Sequence, residues 1–380
     1  MIDELASAIG DVYLYPEVVD DEWQALVAAA RGRVEVGAET DAFYEEMRNL
    51  VNALGDEHSQ FQSPAEVAAS EAELAGTNDY VGIAVLIKPL LEKDLTTILS
   101  VFPESPAAFG GLQTHDSILA VDGVPLVEGD EAYPQRVRGP ECSATVLTIQ
   151  SPGQAPRDVT FVRERVTASL PIEARLVPTT DGTSIGCIFL PTFFDETIAG
   201  QVRQALQDFG PPDGLILDNL MNGGGSSLVV EPMLGFFPSG VVGHFVSLQE
   251  ERPLEVAAEP IYSSQEVPIV VLVAEDTVSY GEIFSGTMRD IGRAQIVGQT
   301  TLGNVETLHG YDMPDGSRIW IAEERFRSAL LRRRLGGNRH HPRRRGHRRL
   351  EHLHLRDRSR HRRSAGLARP LAPRSPRGWP

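Results

Sequence analysis

Ser279 stands between an apolar run, Val267–Val273, and a stretch of helical period, Tyr280–Ile291, with Glu282 three residues after it. A serine at the start of a helix has backbone N–H groups beside it that lack intrahelical partners. Those groups and the helix dipole can stabilise a developing oxyanion, so the hydroxyl is a candidate nucleophile. The competing reading makes Ser279 an N-cap, with Glu282 completing a capping box. A second glycine-bearing segment, Asp218–Gly225 (DNLMNGGG), follows a strand expected over Gly214–Leu217. A third candidate, His58 in Leu54-Gly55-Asp56-Glu57-His58-Ser59, carries an imidazole suited to proton transfer near neutral pH. It serves equally well as a structural residue closing the helices before it. His309 and Glu306 are further candidates for a base, since they follow the serine block closely.

Residues Val271–Gly303 resemble the core block of the tail-specific (carboxyl-terminal processing) serine peptidase family. There a strand ends, a loop delivers the serine, and a helix begins with Glu three residues on. The likeness continues through Asp290, Gly292-Arg293-Ala294 and Val297-Gly298. The Asp218–Gly225 loop is similar to the family's Asp-x-Arg-x-Asn-x-Gly-Gly, with Leu220 in place of Arg. The resemblance implies a crotonase-like ββα core and an acyl-enzyme on Ser279. The oxyanion would be held by the N–H groups of Tyr280 and Gly224, with no metal or cofactor. Family members commonly use a Lys 25 residues after the Ser, where this chain has Asn304, and a Gln four further on, here Leu308. The only lysines are Lys88 and Lys93, so a Ser–Lys dyad of that type is excluded. Residues Asp56–Ser59 are similar to the family's Asp-x-His-Ser. In the tricorn-like branch that His is the general base, oriented by a late Glu, and this assigns the role to His58.

Tyr80–Ala84 (YVGIA), Ser105–Ala108, Gly111-Leu112, Asp116–Ile118 and Val121–Gly123 together resemble a PDZ domain, with His115 where Gly is usual. That likeness implies peptide binding by Tyr80, Val81, Gly82 and Ile83. A Gly turn holds the terminal carboxylate and a strand edge pairs with the peptide. The expected partners are protein or peptide substrates with free or flexible C-termini.

The elements fit an α/β multidomain chain. Residues 1–75 form a small helical unit, with Asp20 and Asp21 preceding Trp23, Leu26, Val27 and Ala30, and a second helix over Asp41–Leu54. Residues 76–166 read as a PDZ-like β-rich domain with short strands at Val81–Ile87, Leu95–Val101, Ser117–Val121, Thr145–Gln150 and Asp158–Arg163. Residues 167–328 read as the peptidase core, with a strand at Ser184–Leu190 and a helix at Ile198–Phe209.

Residues 329–380 differ in kind. They hold 17 Arg, no Lys, two acids and 6 of the 10 His, leaving a balance of −33 on the rest. An acidic body argues against nucleic acid as a partner. A permitted coding of Arg334–Arg345, read one base later, yields Gly-Ile-Ile-Pro-Asp, similar to the motif that closes the family's domain. The tail therefore reads as frameshifted or disordered, and the orienting Glu would fall opposite Gly336. No run of 18 apolar residues occurs, and Met1–Tyr15 does not read as a signal peptide. Family members mostly act outside the cytoplasm, so the compartment stays open, as does the oligomeric state. Two functions are carried forward: a serine endopeptidase, and a catalytically inactive, PDZ-containing peptide-binding pseudo-peptidase, which the missing Lys, Gln and Arg favour.

Overall fold

The computed structural model describes residues 1–329 apart from 38, 57, 78, 168 and 169. The Arg-rich stretch lies outside the described residues, beyond Ala329.

Helices α1 (Ile2–Val12), α2 (Asp21–Glu35) and α3 (Thr40–Asn52) are followed by strand β1 (Gln60–Gln62) and helix α4 (Pro64–Leu74). Asp20 caps α2, its Oδ1 accepting the N–H groups of Glu22 and Trp23 at 3.0 Å each. Ser63 and Glu66 form a capping box on α4, with Pro64 in the first turn, where a missing N–H costs nothing. The apolar faces of α1, α2 and α3 bury Leu5, Ile9, Trp23, Val27, Met47 and Leu50. The same cluster takes in Ile319, Ile321 and Ala322 from the far end of the chain, and β1 pairs antiparallel with residues 318–320.

Residues 79–162 contain short strands in an antiparallel arrangement. They are β2 (Asp79–Gly82), β3 (Val85–Leu90), β4 (Leu95–Val101), then helix α5 (Pro106–Phe109), β5 (Ser117–Val121), β6 (Val124–Pro125), β7 (Val127–Glu128), β8 (Glu131–Ala132), β9 (Ala144–Gln150) and β10 (Arg157–Val162). The main sheet runs β10-β9-β5-β4-β3, with β6 on β5, so β3 is an edge strand. Strands β4 and β5 coincide with the expected short strands. The expected Val81–Ile87 strand is broken at Ile83–Ala84, where Ala84 turns to φ 64°. Strand β2 instead pairs with β11 (Glu164–Thr167).

The remaining strands and helices alternate: β12 (Ala174–Pro178), β13 (Ser184–Phe189), α6 (Thr197–Phe209), β14 (Gly214–Asp218), α7 (Ser227–Leu234), β15 (Gly240–Val246), β16 (Glu251–Val256), β17 (Ile269–Val273), α8 (Tyr280–Asp290), β18 (Gln295–Gly298), β19 (Glu306–Asp312) and β20 (Arg318–Ser328). One sheet has the order β12-β13-β14-β17-β18, parallel from β13 onward. A second joins β1-β20-β15-β16, with β19 on β20. Phe193 and Phe237 pack edge-on against Phe284 of α8, with centroids 5.7 and 6.1 Å away. Among the described residues no helix is long and apolar enough to cross a membrane.

Phe284 is fully buried and fixes α8 to this core. Phe284→Ala is expected to cost about 3–5 kcal/mol, read as a lower urea midpoint. A loss below about 1 kcal/mol would show that the ring does not anchor the helix.

Candidate active site

Three chain segments meet at the start of α8. Strand β17 delivers the loop 274–279, strand β14 delivers the loop 219–226, and the segment after β18 brings Gly303 and Asn304. The first two loops are tied by buried amide and hydroxyl groups. Asn219 is fully buried; its Nδ2 donates to the Gly281 carbonyl (2.9 Å) and to Ser285 Oγ (2.8 Å). Thr277 Oγ1 donates to the Asn219 carbonyl at 2.7 Å, and Val278 N–H to the Asn222 carbonyl at 3.0 Å. Gly281 has no room for a side chain, since a Cβ there would stand 2.6 Å from the Asn222 carbonyl oxygen.

Ser279 is half-buried, which leaves it within reach of solvent. It adopts φ 53°, ψ −124°, and its side chain makes no capping bond to α8. The N-cap reading therefore fails at the hydroxyl. Only half of the capping box forms: the Glu282 carboxylate draws on the Ser279 N–H, but the Ser279 hydroxyl returns no bond to the helix. The carboxylate also accepts Gly303 N–H at 2.7 Å and Asn304 N–H at 2.6 Å. Burial pushes the Glu282 carboxyl up, against the pull of these bonds. The Asn304 carbonyl in turn accepts Ser279 N–H at 2.9 Å. The residue in the family's Lys position thus holds the backbone of Ser279 and offers no amine.

Gly224 packs directly on the serine. A Cβ added to it would meet Ser279 Cβ at 2.7 Å, the Val278 carbonyl oxygen at 2.9 Å and Tyr280 N at 3.1 Å, and its φ of +96° is one that side chains resist. The expected partners Ser279, Tyr280 and Gly224 are therefore brought together. Gly224 N–H donates to Asn222 Oδ1 at 2.9 Å, while Asn222 Nδ2 is buried without an acceptor. The sequence motif contains Asn222, but nothing in its spacing announces this grip on the turn.

His58 lies in the loop between α3 and β1. Its N–H donates to Asp56 Oδ1 (2.8 Å), and its Nε2 is buried without a hydrogen bond. Asp56 also accepts the Tyr13 hydroxyl at 2.8 Å, and Ser59 Oγ accepts Ala322 N–H of β20 at 3.0 Å. Among the described residues no hydrogen bond joins His58 to Ser279. The other two candidate bases are occupied. Glu306 accepts the Tyr15 hydroxyl. His309 has Nε2 on Glu324 at 3.1 Å and Nδ1 4.0 Å from Glu323. Arg252 completes that cluster with two 2.8 Å bonds to Glu324. Burial alone would raise the Glu324 carboxyl, but His309 and Arg252 override it and hold it down at about 2. The hydrogen bond to Glu324 raises His309 in return. Among the described residues, no three His, Cys, Asp or Glu side chains converge to hold a metal ion.

The expected peptide-binding residues lie at a separate cavity of about 460 Å³. Tyr80, Gly82 and Ile83 line one part of it, β3 contributes Val85, Leu86 and Ile87, and the turn Pro134–Val137 stands across from them. Val81 does not line it; its carbonyl accepts Gly139 N–H at 3.4 Å. One residue past this part of β3, Lys88 forms an ion pair with Asp276 and places Nζ 3.3 Å from Met221 Sδ. The edge strand thus touches both loops that build the Ser279 site.

Residues 184–333 match Peptidase family S41. A carboxyl-terminal-processing protease of Synechocystis sp. is 29% identical over 290 residues, covering 74% of this chain and 66% of its own length. The corresponding protease of Picosynechococcus sp. is 26% identical over 303 residues, covering 76% of this chain and 70% of its own length. The chain thus spans about two thirds of these relatives and is itself related to the carboxyl-terminal-processing serine peptidases. The fold is similar to that of a photosystem II D1 C-terminal processing protease, with a TM-score of 0.56 at 22% identity over 86% of this chain and 87% of that one. The S41 match ends within the Arg-rich stretch, and β15, β16, β19 and β20, which the sequence patterns did not locate, fall inside it.

Two outcomes follow from this geometry. Gly224→Ala is expected to lower labelling of Ser279 by a fluorophosphonate probe about 100-fold with the far-UV CD spectrum unchanged. Labelling within about threefold of the parent would show that the turn does not shape the nucleophile's surroundings. Glu324→Gln should lose about 2–3 kcal/mol at pH 6. The lowered Glu324 value means its contribution is present above the ordinary 4.5 and lost as pH falls toward about 2. The gap between variant and parent should therefore close on acidification. His309, with a raised value, makes its own contribution below its ordinary 6.5 and loses it as pH rises through the raised one. A gap in thermal midpoint that stays constant from pH 6 to pH 3 would show that the cluster is not held by charge.

Proposed function

We propose that the chain is a serine endopeptidase that cleaves unstructured or C-terminal protein segments through an acyl-enzyme on Ser279. The observation that carries this reading is the nucleophile's setting. Ser279 is held at positive φ at the head of a buried helix, with its hydroxyl unused by the helix and Gly224 against its Cβ. Ser279 Oγ attacks a peptide carbonyl carbon, and His58 takes the hydroxyl proton. The carbonyl π-pair moves onto oxygen as the tetrahedral intermediate forms. Tyr280 N–H, at the first position of α8, donates to that oxygen. Gly224 N–H joins it once released from Asn222 Oδ1. Collapse expels the amine, which takes the proton from His58, and water then attacks the acyl-enzyme by the same route. The segment 79–162 is read as a PDZ-like module that captures substrate tails by adding them to the open edge of β3.

A second reading has its own support. No hydrogen bond links His58 to Ser279, Asn304 replaces an amine, and Gly224 N–H is engaged by Asn222. These favour a pseudo-peptidase that holds tails without cutting them. Cleavage of casein or of a protein bearing an unstructured tail separates the two. The parent should cleave and be labelled by a fluorophosphonate at Ser279, and Ser279→Ala should lose both. Equal turnover by parent and Ser279→Ala, or none by either with no label on the parent, would sink the peptidase reading.

A further inference from the structure

Asn222 carries a donor that nothing uses. The residue is fully buried and its Nδ2 has no acceptor, while its Oδ1 takes the Gly224 N–H at 2.9 Å. Such orphan donors are rare inside proteins. Asn219 Oδ1 is also buried without a bond, but the Asn219 Nδ2 is fixed on the Gly281 carbonyl and Ser285 Oγ, so that amide has no freedom to turn. Among the described residues, the Asn222 side chain bonds to Gly224 alone. The backbone on both sides of that bond is pinned. The Asn222 carbonyl accepts Val278 N–H at 3.0 Å, and the Gly224 carbonyl accepts Phe193 N–H at 2.8 Å. Between them the Gly223–Gly224 peptide group has room to move. Gly223 is exposed, a Cβ there would meet nothing within 4 Å, and its carbonyl makes no hydrogen bond with a described residue.

A trans peptide points its N–H and C=O in opposite directions. In the present orientation Gly224 N–H faces the buried Asn222 amide, and an N–H so engaged does not receive a substrate oxygen. A half-turn of the Gly223–Gly224 peptide changes only ψ of Gly223 and φ of Gly224. It carries Gly224 from φ +96° into the ordinary negative range, and glycine adopts either at little cost. The N–H then leaves Asn222 and the Gly223 carbonyl takes its place. An asparagine amide suits both states, because it accepts through Oδ1 and, turned about its last bond, donates through Nδ2. We propose that Asn222 is a positioning residue with two settings. At rest its Oδ1 holds the Gly224 N–H away from the reaction. During acylation its Nδ2 donates to the Gly223 carbonyl, and the freed N–H joins that of Tyr280 on the oxyanion. Gly224 stands in place for this, since a Cβ on it would lie 3.1 Å from Tyr280 N. The inference rests on the peptidase reading and names the group that switches its oxyanion site.

A crystal structure of the full chain phosphonylated at Ser279 by a fluorophosphonate tests it, because the phosphoryl oxygen takes the oxyanion's place. Gly224 N–H should lie on that oxygen and Asn222 Nδ2 on the Gly223 carbonyl. Gly224 N–H still on Asn222 Oδ1 overturns the inference and leaves the peptidase reading intact. Kinetics on a protein bearing an unstructured tail give a second measure. Asn222→Asp keeps the acceptor and loses the donor, so kcat should fall about 100-fold with KM within about twofold of the parent. Asn222→Ala also releases the N–H and should lose only about tenfold. Equal losses in the two variants would make Asn222 a brace for the turn and overturn the switch. Asn222→Asp turning over within about threefold of the parent overturns it as well. No phosphonylation and no turnover by the parent overturns the peptidase reading, and the inference with it.

Discussion

Everything at the site depends on holding one residue in an unfavourable backbone conformation. Ser279 at φ 53° carries a strain of about 1–3 kcal/mol, and it persists because its neighbours leave no alternative. Its own N–H is fixed by the Asn304 carbonyl, the N–H before it by the Asn222 carbonyl, and the helix after it by Asn219. Glu282 closes the circuit by gripping Gly303 and Asn304. All of these restraints act on main chain or on residues other than Ser279. The hydroxyl is consequently left without a capping bond, as the peptidase reading requires of a nucleophile.

The same arrangement explains which parts of the site were legible in the sequence. The meeting of Ser279 with Gly224 could be anticipated because both segments resemble family motifs, and the structure adds why a glycine stands there, since a Cβ would meet Ser279. Strands β4 and β5 could be read because each is a short run between Gly- and Pro-bearing turns. Strand β1 could not, because it is three residues long and its partner β20 lies more than 250 residues away. Residues 306–328 hid for a related reason. They serve two cores at once, Val305 and Phe326 facing the α/β sheet and Ile319 and Ile321 facing the N-terminal helices, which blurs any single periodicity. Glu282 was misleading because Ser-x-x-Glu fits a full capping box locally, while two of its partners arrive from 21 and 22 residues downstream.

Charge placement narrows how proton transfer is possible here. Where much of the family has a lysine, this chain has only the Asn304 amide, and the one other histidine close to the serine block has both ring nitrogens turned toward carboxylates. The hydrogen bond to Glu324 raises the His309 value, which favours its charged form, and the charged form has no lone pair to accept a proton. On the peptidase reading that leaves His58, whose Nε2 is buried without a hydrogen bond. An unpartnered imidazole nitrogen inside a protein is a cost that a structural role does not require. A hydroxyl brought to it by substrate binding would remove that cost.

The position of Lys88 sets a geometric condition on any tail that docks and is then cut. A peptide added antiparallel to β3 with its terminus near Ile83 runs toward Lys88, five residues and about 16 Å further along the strand. Lys88 there meets Asp276, three residues before Ser279, and Met221 in the facing loop. The reacting bond must therefore lie several residues upstream of the docked terminus, and the stretch between must be extended to satisfy the open backbone groups of β3. A terminus folded into a helix cannot do this, because its own N–H and C=O groups are already paired. On the docking reading, the strand edge itself selects extended tails before any side chain is read.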